Sequence, residues 1–261
     1  MSLPICVTCG VQYAAPRDDC PICEDPRQYV PVSGQAWTTL EELQSTHTNA
    51  IIREGELIGI GTRPKFAIGQ RALLVPAGSS NVLWDCVTLL DEMTAGEIES
   101  RGGLRAIAIS HPHYYSTMVE WAHRFSCEVW LHEDDREWVM REDPALRFWS
   151  GETASLGDGL TLIRCGGHFA GGTVLHRERD LLTGDIVQVI PDHDWVSFMY
   201  SFPNHIPLPE ASIRALEAAL EPFEFERIYG AWWGTVLPED GKGIVRRSAQ
   251  RYVDALNGKL P

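Results

Sequence analysis

The chain has 261 residues and a formal charge of −14, from 22 Lys and Arg against 36 Asp and Glu. Apolar residues make up 44% of it and nine residues are Trp, which excludes intrinsic disorder as the dominant state. The acidic balance argues against nucleic-acid backbones and against polybasic docking on a membrane, since both depend on clustered Lys and Arg.

No apolar run reaches the roughly 18 residues of a membrane span. The opening residues 1–7 carry neither a basic region nor a long apolar stretch, so no signal peptide is expected and the expected location is cytoplasmic. The length fits one large domain with a small appendage, divided near Pro31 and Gly34 into 1–34 and 35–261.

The first unit holds four of the seven cysteines as two Cys-x-x-Cys pairs, Cys6 with Cys9 and Cys20 with Cys23. An odd cysteine total without an export signal does not read as a disulfide framework. Four thiolates on two tight turns can close a tetrahedral zinc site, and a segment below about 40 residues needs such a staple to fold. Iron suits the same cage, and two surface thiol pairs are the plainer alternative. A closed four-sulfur site has no open position, so no catalysis is assigned to it.

Short apolar runs at 57–60, 72–75 and 82–86 read as hairpin-connected strands, with Pro76, Gly78, Ser79 and Ser80 marking a turn. Residues 88–100 read as a helix stopped by Gly102 and Gly103. The run 104–110 reads as a central strand covered on both faces. A helix over 117–125 presents Met118, Trp121, Ala122 and Phe125 on one face, and Thr117 with Glu120 fits a capping box. Strands follow at 128–131, 160–164, 173–176 and 181–187. A helix over 210–221 carries Ile213, Leu216 and Leu220 and stops at Pro222. A strand at 227–229 precedes a last helix over 242–256, ended by Asn257 and Gly258. This order suggests sheets inside and helices outside.

The chemistry-bearing residues sit at strand ends. His111-Pro112-His113 follows the central strand, and in an extended segment side chains two apart share a face. Cys165-Gly166-Gly167-His168 follows the strand 160–164, its glycines permitting a tight turn beside a ligand. Thr183-Gly184-Asp185 puts a carboxylate at the end of another apolar strand. Three neutral imidazoles and one carboxylate suit Zn or Fe(II).

The cysteine pairs, with Cys9-Gly10 and Cys20-Pro21, resemble rubredoxin-like and zinc-ribbon knuckles. Residues of about 50–235 resemble the metallo-β-lactamase superfamily, on a strand leading into His-x-His, a Gly-rich turn with His, and a strand ending Thr-Gly-Asp. The resemblance implies an α+β fold, a four-layer αββα sandwich with metals at the sheet edges and a small N-terminal zinc ribbon. It implies a first metal site of His111, His113, His168 and Asp185. The family's second site departs here: Tyr115 and Ser116 stand at the Asp and last His of the first motif, and Trp233 where a final His is expected. The resemblance therefore implies one metal, Zn or Fe, besides the structural zinc of the ribbon.

One zinc with an open position lowers the pKa of its water toward about 7. The expected function is a mononuclear metal-dependent hydrolase acting on a small ester, lactone, thioester or amide through a metal-bound hydroxide. Asp185 is a fourth ligand or a partner of that hydroxide. Tyr114 or Tyr115 could donate to a developing oxyanion, with Tyr115 carried forward as the candidate. His193, in a turn made by Pro191 and Asp192, is the candidate acid or base. One alternative is a non-heme Fe(II) dioxygenase using His111, His168 and Asp185, as in the persulfide dioxygenase branch of the superfamily. That branch retains a full first motif, which this chain lacks. The other is a non-catalytic ligand-binding or sensor protein on a degenerate scaffold. If Trp195, Phe198, Tyr200, Phe202, Trp232 and Trp233 line the mouth, the substrate is a small apolar or aromatic molecule. His47, His123, His132 and His176 read as structural or surface residues. The ribbon could dock on a partner or on a second subunit of a homodimer.

Overall fold

The computed structural model describes residues 2–260. A seven-stranded sheet runs Thr48–Glu54, Leu57–Arg63, Ala72–Ala77, Ser80–Trp84, Leu104–Ala108, Glu128–His132, Leu146–Trp149, in chain order. Its first four strands pair antiparallel and the rest parallel. A six-stranded sheet runs Thr153–Gly157, Leu160–Arg164, Thr173–Arg177, Asp180–Gly184, Arg227–Gly230, Val236–Leu237. Only its pair Asp180–Gly184 with Arg227–Gly230 is parallel.

Side-chain alternation along these strands builds the layers, because neighbours on a strand point to opposite faces. Leu73, Val75, Val82, Trp84, Ala106 and Ala108 meet Leu160, Leu162, Leu175, Leu182 and Tyr229 between the sheets. The intervening Leu74, Leu83 and Ile107 face outward, against Ala95, Ile98, Met118 and Trp121 of the helices Glu92–Ser100 and Met118–Phe125. On the other side Ile163, Val174, Leu181 and Ile228 pack against the helices Glu210–Leu220 and Gly241–Leu256. The result is the four-layer αββα sandwich.

The N-terminal segment is stitched onto this body. Ile5–Cys6 pairs with Trp37–Thr38. The Gln12 N–H donates to the Ser116 carbonyl and the Thr88 hydroxyl to the Gly10 carbonyl, both at 3.0 Å. Cys6, Cys9, Cys20 and Cys23 lie in the same apolar cluster as Tyr114, Tyr115 and Trp121.

Several local expectations change. Pro76 lies inside the strand Ala72–Ala77, paired opposite Asn81, and the hairpin turns at Gly78 (φ +62). The neighbouring strand Leu57–Arg63 pairs only as far as Leu74, so the N–H that proline lacks has no ladder partner to miss. The helix expected from residue 88 begins at Glu92, because Asp91 accepts the Thr94 N–H at 2.7 Å. Thr117 forms no capping box; its hydroxyl donates to the Thr88 carbonyl at 2.7 Å. The capping box is at Thr39 and Glu42, opening the helix Leu40–Thr46, which the sequence pattern did not reveal. Strands Thr48–Glu54, Leu146–Trp149 and Thr153–Gly157 also escape the pattern, being half-exposed edge regions with weak apolar alternation.

Candidate metal centre

The strand Leu104–Ala108 leads to one open end of the sandwich. Beyond it the Ser110 N–H donates to the buried Asp85 carboxylate at 2.8 Å. His111 is extended (φ −171, ψ 170), but Pro112–Tyr114 is a 3-10 turn. The two histidines therefore do not share the face of an extended segment, as the spacing suggested. Pro112 has the fixed φ that suits a first helical position, and the turn swings His113 beside His111, with ring centroids 5.2 Å apart.

His168 arrives from the other sheet. Gly166 (φ +65) and Gly167 (φ +81) use backbone that other residues adopt at a cost. The Gly171 N–H, on the same loop, donates to Asp135 Oδ1 at 2.8 Å. The Thr173 N–H donates to the Ser110 carbonyl at 2.9 Å, joining the two sheets under the site. Asp185 follows the strand Asp180–Gly184, as its sequence position indicated.

These side chains converge. One nitrogen from each of His111, His113 and His168 lies within 4.8 Å of the other two. His168 Nδ1 donates to the Tyr200 carbonyl at 2.8 Å, which leaves the Nε2 lone pair facing His113 Nδ1 at 3.1 Å. His111 Nδ1 is held by the Ser110 hydroxyl at 2.9 Å, and His111 Nε2 stands 3.3 Å from Asp185 Oδ1. His111 Nε2, His113 Nε2 and Asp185 Oδ1 are buried without a hydrogen-bond partner. Buried polar atoms are almost always paired, so this group is incomplete as protein alone. A cation would account for His111 Nε2 and Asp185 Oδ1, and His113, which meets His168 Nε2 through Nδ1, has one ring nitrogen to give it: ligand bonds of about 2.0–2.1 Å place tetrahedral neighbours roughly 3.3 Å apart.

The electrostatics agree with that use. Burial pushes His168 down to about 4 and holds His111 and His113 well below the ordinary imidazole value. All three are therefore neutral at pH 7, the form that binds metal. Burial raises Asp185 to about 7, so the carboxylate lacks a counter-charge that a divalent cation would supply.

Other expected site residues lie elsewhere. Tyr115 is buried, and its hydroxyl reaches toward the Asp135 carbonyl at 3.5 Å, away from the histidines. The tyrosine at the site is Tyr114, its ring 4.4 Å from His111 and its hydroxyl buried without a hydrogen-bond partner among the described residues. The 3-10 turn sends successive side chains in different directions, which corrects the choice of Tyr115. His193 sits exposed in the turn between Gln188–Val189 and Val196–Ser197, outside the cleft, so the proposed acid or base is also corrected.

The positions of a second metal site hold no ligands. The Ser116 hydroxyl donates to the Cys86 carbonyl, and Trp233 lies over Gly59 and Gly61, where an added Cβ would meet its ring at 2.6 and 2.8 Å. Of the six aromatic candidates only Phe202 and Trp232 line the cleft of about 110 Å³ beside His113, His168 and Asp185. Phe198 is in the outer core, and Trp195 is covered by Arg251.

The four cysteines form the second group of potential ligands among the described residues, and all are buried. Sγ atoms of Cys6 and Cys23 are 3.6 Å apart and those of Cys9 and Cys20 3.7 Å. Zinc–sulfur bonds of about 2.3 Å require about 3.8 Å. The Gln35 amide donates to Cys6 Sγ at 3.1 Å, and the Tyr13 hydroxyl lies 2.9 Å from Cys20 Sγ. Sulfur–sulfur hydrogen bonds favour thiolate at Cys6 and Cys20. Burial keeps Cys9 protonated, and the bond to Cys20 does the same for Cys23. Four adjacent thiolates need a dication to coexist.

Arg27 and Gln28 also reach the site, and sequence reasoning did not find them. The Arg27 guanidinium stacks 3.8 Å from the Phe169 ring centroid, pairs with Asp25 at 2.6 Å and donates to the His168 carbonyl at 3.3 Å. Nothing in the local sequence marks these residues beyond their closeness to Cys23.

Fold and site together define a metallo-β-lactamase-fold protein with one histidine group and one four-cysteine knuckle, each able to bind metal. It superposes on the DIM-1 metallo-β-lactamase exposed to ceftazidime with a TM-score of 0.61 at 14% identity, covering 79% of this chain and 97% of that one. FIM-1 from Pseudomonas aeruginosa in its mono-zinc form gives 0.57 at 17% identity, covering 82% and 97%. TTHA1623, solved in a di-iron-bound form, gives 0.52 at 20% identity, covering 69% and 94%. No family model matches the chain. The chain belongs to the family of the uncharacterized protein YmaE of Bacillus subtilis (strain 168), with which it is 50% identical over 268 residues, 98% of this chain and 97% of that protein. Among the described residues, no helix is long and apolar enough to cross a membrane.

Proposed function

We propose that this protein is a mononuclear metal-dependent hydrolase of small esters, lactones, thioesters or amides, its four-cysteine knuckle carrying a structural zinc. The observation that carries this reading is the convergence of the buried His111, His113 and His168, with Asp185 Oδ1 3.3 Å from His111 Nε2 and, among the described residues, both of those atoms without a hydrogen-bond partner. His111, His113 and His168 would hold the ion, and Asp185 would complete the set. An ion held there supplies Lewis acidity toward a carbonyl and brings the pKa of a coordinated water toward neutrality.

The rest falls to the chain. Ser110, through His111 Nδ1, and the Tyr200 carbonyl, through His168 Nδ1, fix ring orientation. Asp185, which burial raises to about 7, would accept a proton from a water in the cleft. Phe202 and Trp232 give the cleft an apolar wall beside these residues.

The solved neighbours include a mono-zinc and a di-iron form, and His111, His168 and Asp185 also compose a two-histidine, one-carboxylate set that suits iron. The test is elemental analysis of protein purified without added metal, together with turnover of 4-nitrophenyl acetate and a thiolactone. Hydrolysis that disappears in His168→Ala supports the proposal. Oxygen uptake with bound iron and no hydrolysis would replace it with the oxygenase. Bound metal with neither activity would favour the sensor reading.

A further inference from the structure

The N-terminal knuckle contributes a wall of the cleft. Five residues beyond Cys23, the Gln28 side chain faces the same space as His113, His168 and Asp185. Gln28 is only 6% exposed, and its Oε1 is buried without a hydrogen-bond partner. Among the described residues its Nε2 makes no hydrogen bond either, whereas its backbone is pinned: the N–H donates to the Asp25 carbonyl, and its carbonyl accepts from Asn204 Nδ2 at 2.9 Å. The side chain is thus fixed at its base and unmatched at its tip. A buried amide oxygen left in that state is destabilising unless something occupies the cleft and pairs with it.

The position is rigid for identifiable reasons. Asp25 accepts from the Arg27 backbone N–H at 2.9 Å and pairs with the Arg27 guanidinium. The Arg27 carbonyl accepts the Ser201 hydroxyl at 3.0 Å, and Asn204 also donates to the Pro26 carbonyl at 2.9 Å. The turn 25–28 is therefore clamped between Cys23 and the loop that carries Phe202, and it touches the histidine site through the His168 carbonyl. A substrate group met by Gln28 would be held in a fixed relation to the ion-binding nitrogens.

We propose that Gln28 is a substrate-binding residue supplied by the cysteine knuckle, pairing its amide with an uncharged amide-like or ester group next to the scissile carbonyl. This rests on the hydrolase reading for the word substrate, but the contact itself is a binding property. The chemistry of the cleft narrows the occupant. Its other walls are Ile68, Phe202, Pro203 and Trp232, and no Lys or Arg lines it. Apart from the ion itself and Arg27 behind His168, no cation among the described residues faces the cleft, so a ligand flank away from the ion finds no counter-charge and neutral apolar or aromatic flanks are selected. The space of about 110 Å³ is smaller than a roughly 150 Å³ cavity that takes a benzene. It admits the reacting group and one small flank, with the remainder in solvent.

The test uses the metal-loaded full chain and its variants Gln28→Met, which keeps volume and removes both hydrogen-bonding atoms, Gln28→Ala, and His168→Ala. Two readouts are taken: binding of benzohydroxamic acid by calorimetry, and kcat/KM for 4-nitrophenyl acetate. Benzohydroxamic acid leaves an N–H for Gln28 Oε1 beside its metal-chelating oxygens. Gln28→Met should weaken its binding about tenfold, the loss of one hydrogen bond in a water-poor site. Metal content should stay unchanged, and Gln28→Ala should behave alike. His168→Ala should abolish binding. Ester turnover lost in His168→Ala with hydroxamate binding unchanged in both Gln28 variants overturns this proposal and leaves the hydrolase reading standing. No turnover by any form, with binding still weakened by Gln28→Met, keeps the proposal and removes the hydrolase. Absence of both turnover and binding in the wild type overturns the two together.

Discussion

Replacing Arg27 with alanine tests whether the knuckle is welded to the metal centre. The Arg27 and Asp25 side chains are each 12% exposed, so the pair is nearer to a buried than a surface ion pair. Burial alone would raise Asp25; the hydrogen bonds from Arg27 more than offset it and hold the carboxyl below its usual range. Removing Arg27 leaves a mostly desolvated carboxylate without its partner, which costs about 2–3 kcal/mol at this exposure. The guanidinium over Phe169 adds roughly 1 kcal/mol. These terms overlap, so the expected loss is about 3 kcal/mol, read from urea unfolding followed by tryptophan fluorescence at saturating metal. Asp25→Asn in the same chain should restore about 2 kcal/mol of it, because the desolvated charge is gone while the lost stacking remains. A loss under about 0.5 kcal/mol, the range of ordinary surface substitutions, or no recovery in the double variant, would refute this account of the junction.

Other outcomes follow from the same geometry. Protein purified without added metal should hold about two ions per chain, His168→Ala losing one and Cys6→Ser the other, as measured by elemental analysis. The histidine-site ion should resist acid. Exposed imidazoles protonate near about 6.5, but burial lowers His168 to about 4, with His111 and His113 also far below normal. Protons therefore compete for the imidazoles only at lower pH, and release from that site in an Asp185→Asn chain, which removes the carboxyl that burial raises to about 7, taken as the difference with and without His168→Ala, should have its midpoint below about pH 5. A midpoint near 6.5 would show that the imidazoles are not desolvated. Gly10→Ala should destabilise by about 2–3 kcal/mol, from a left-handed φ of +82 and a Cβ only 2.4 Å from the Thr88 hydroxyl. Adding Thr88→Ala should return part of the loss, and equal unfolding midpoints for wild type and Gly10→Ala would contradict the close docking of the knuckle.

Much of this protein was legible along the chain. The alternation of Leu73, Leu74 and Val75, or of Leu181 and Leu182, specifies strands with two covered faces because side-chain direction has period two. Three-and-four spacing in the helices Met118–Phe125 and Gly241–Leu256 specifies which face is buried. The two Cys-x-x-Cys pairs and the placement of His111, His113, His168 and Asp185 after strands are local features, so both candidate groups can be read from residue order, the second with the help of its family resemblance. Three-dimensional packing decided the rest. Whether Tyr114 or Tyr115 faces the site depends on the 3-10 turn at Pro112–Tyr114, where successive side chains differ by about 120° in direction, which composition does not encode. His193 has the right chemistry and the wrong place. Arg27 and Gln28 look like ordinary polar residues in sequence and become part of the site only because residues 168–204 fold back onto them, a contact across more than 140 positions. Short-range periodicity carries burial and secondary structure; the meeting of distant loops is set by how the two sheets and the knuckle pack, and that information is distributed over the whole core.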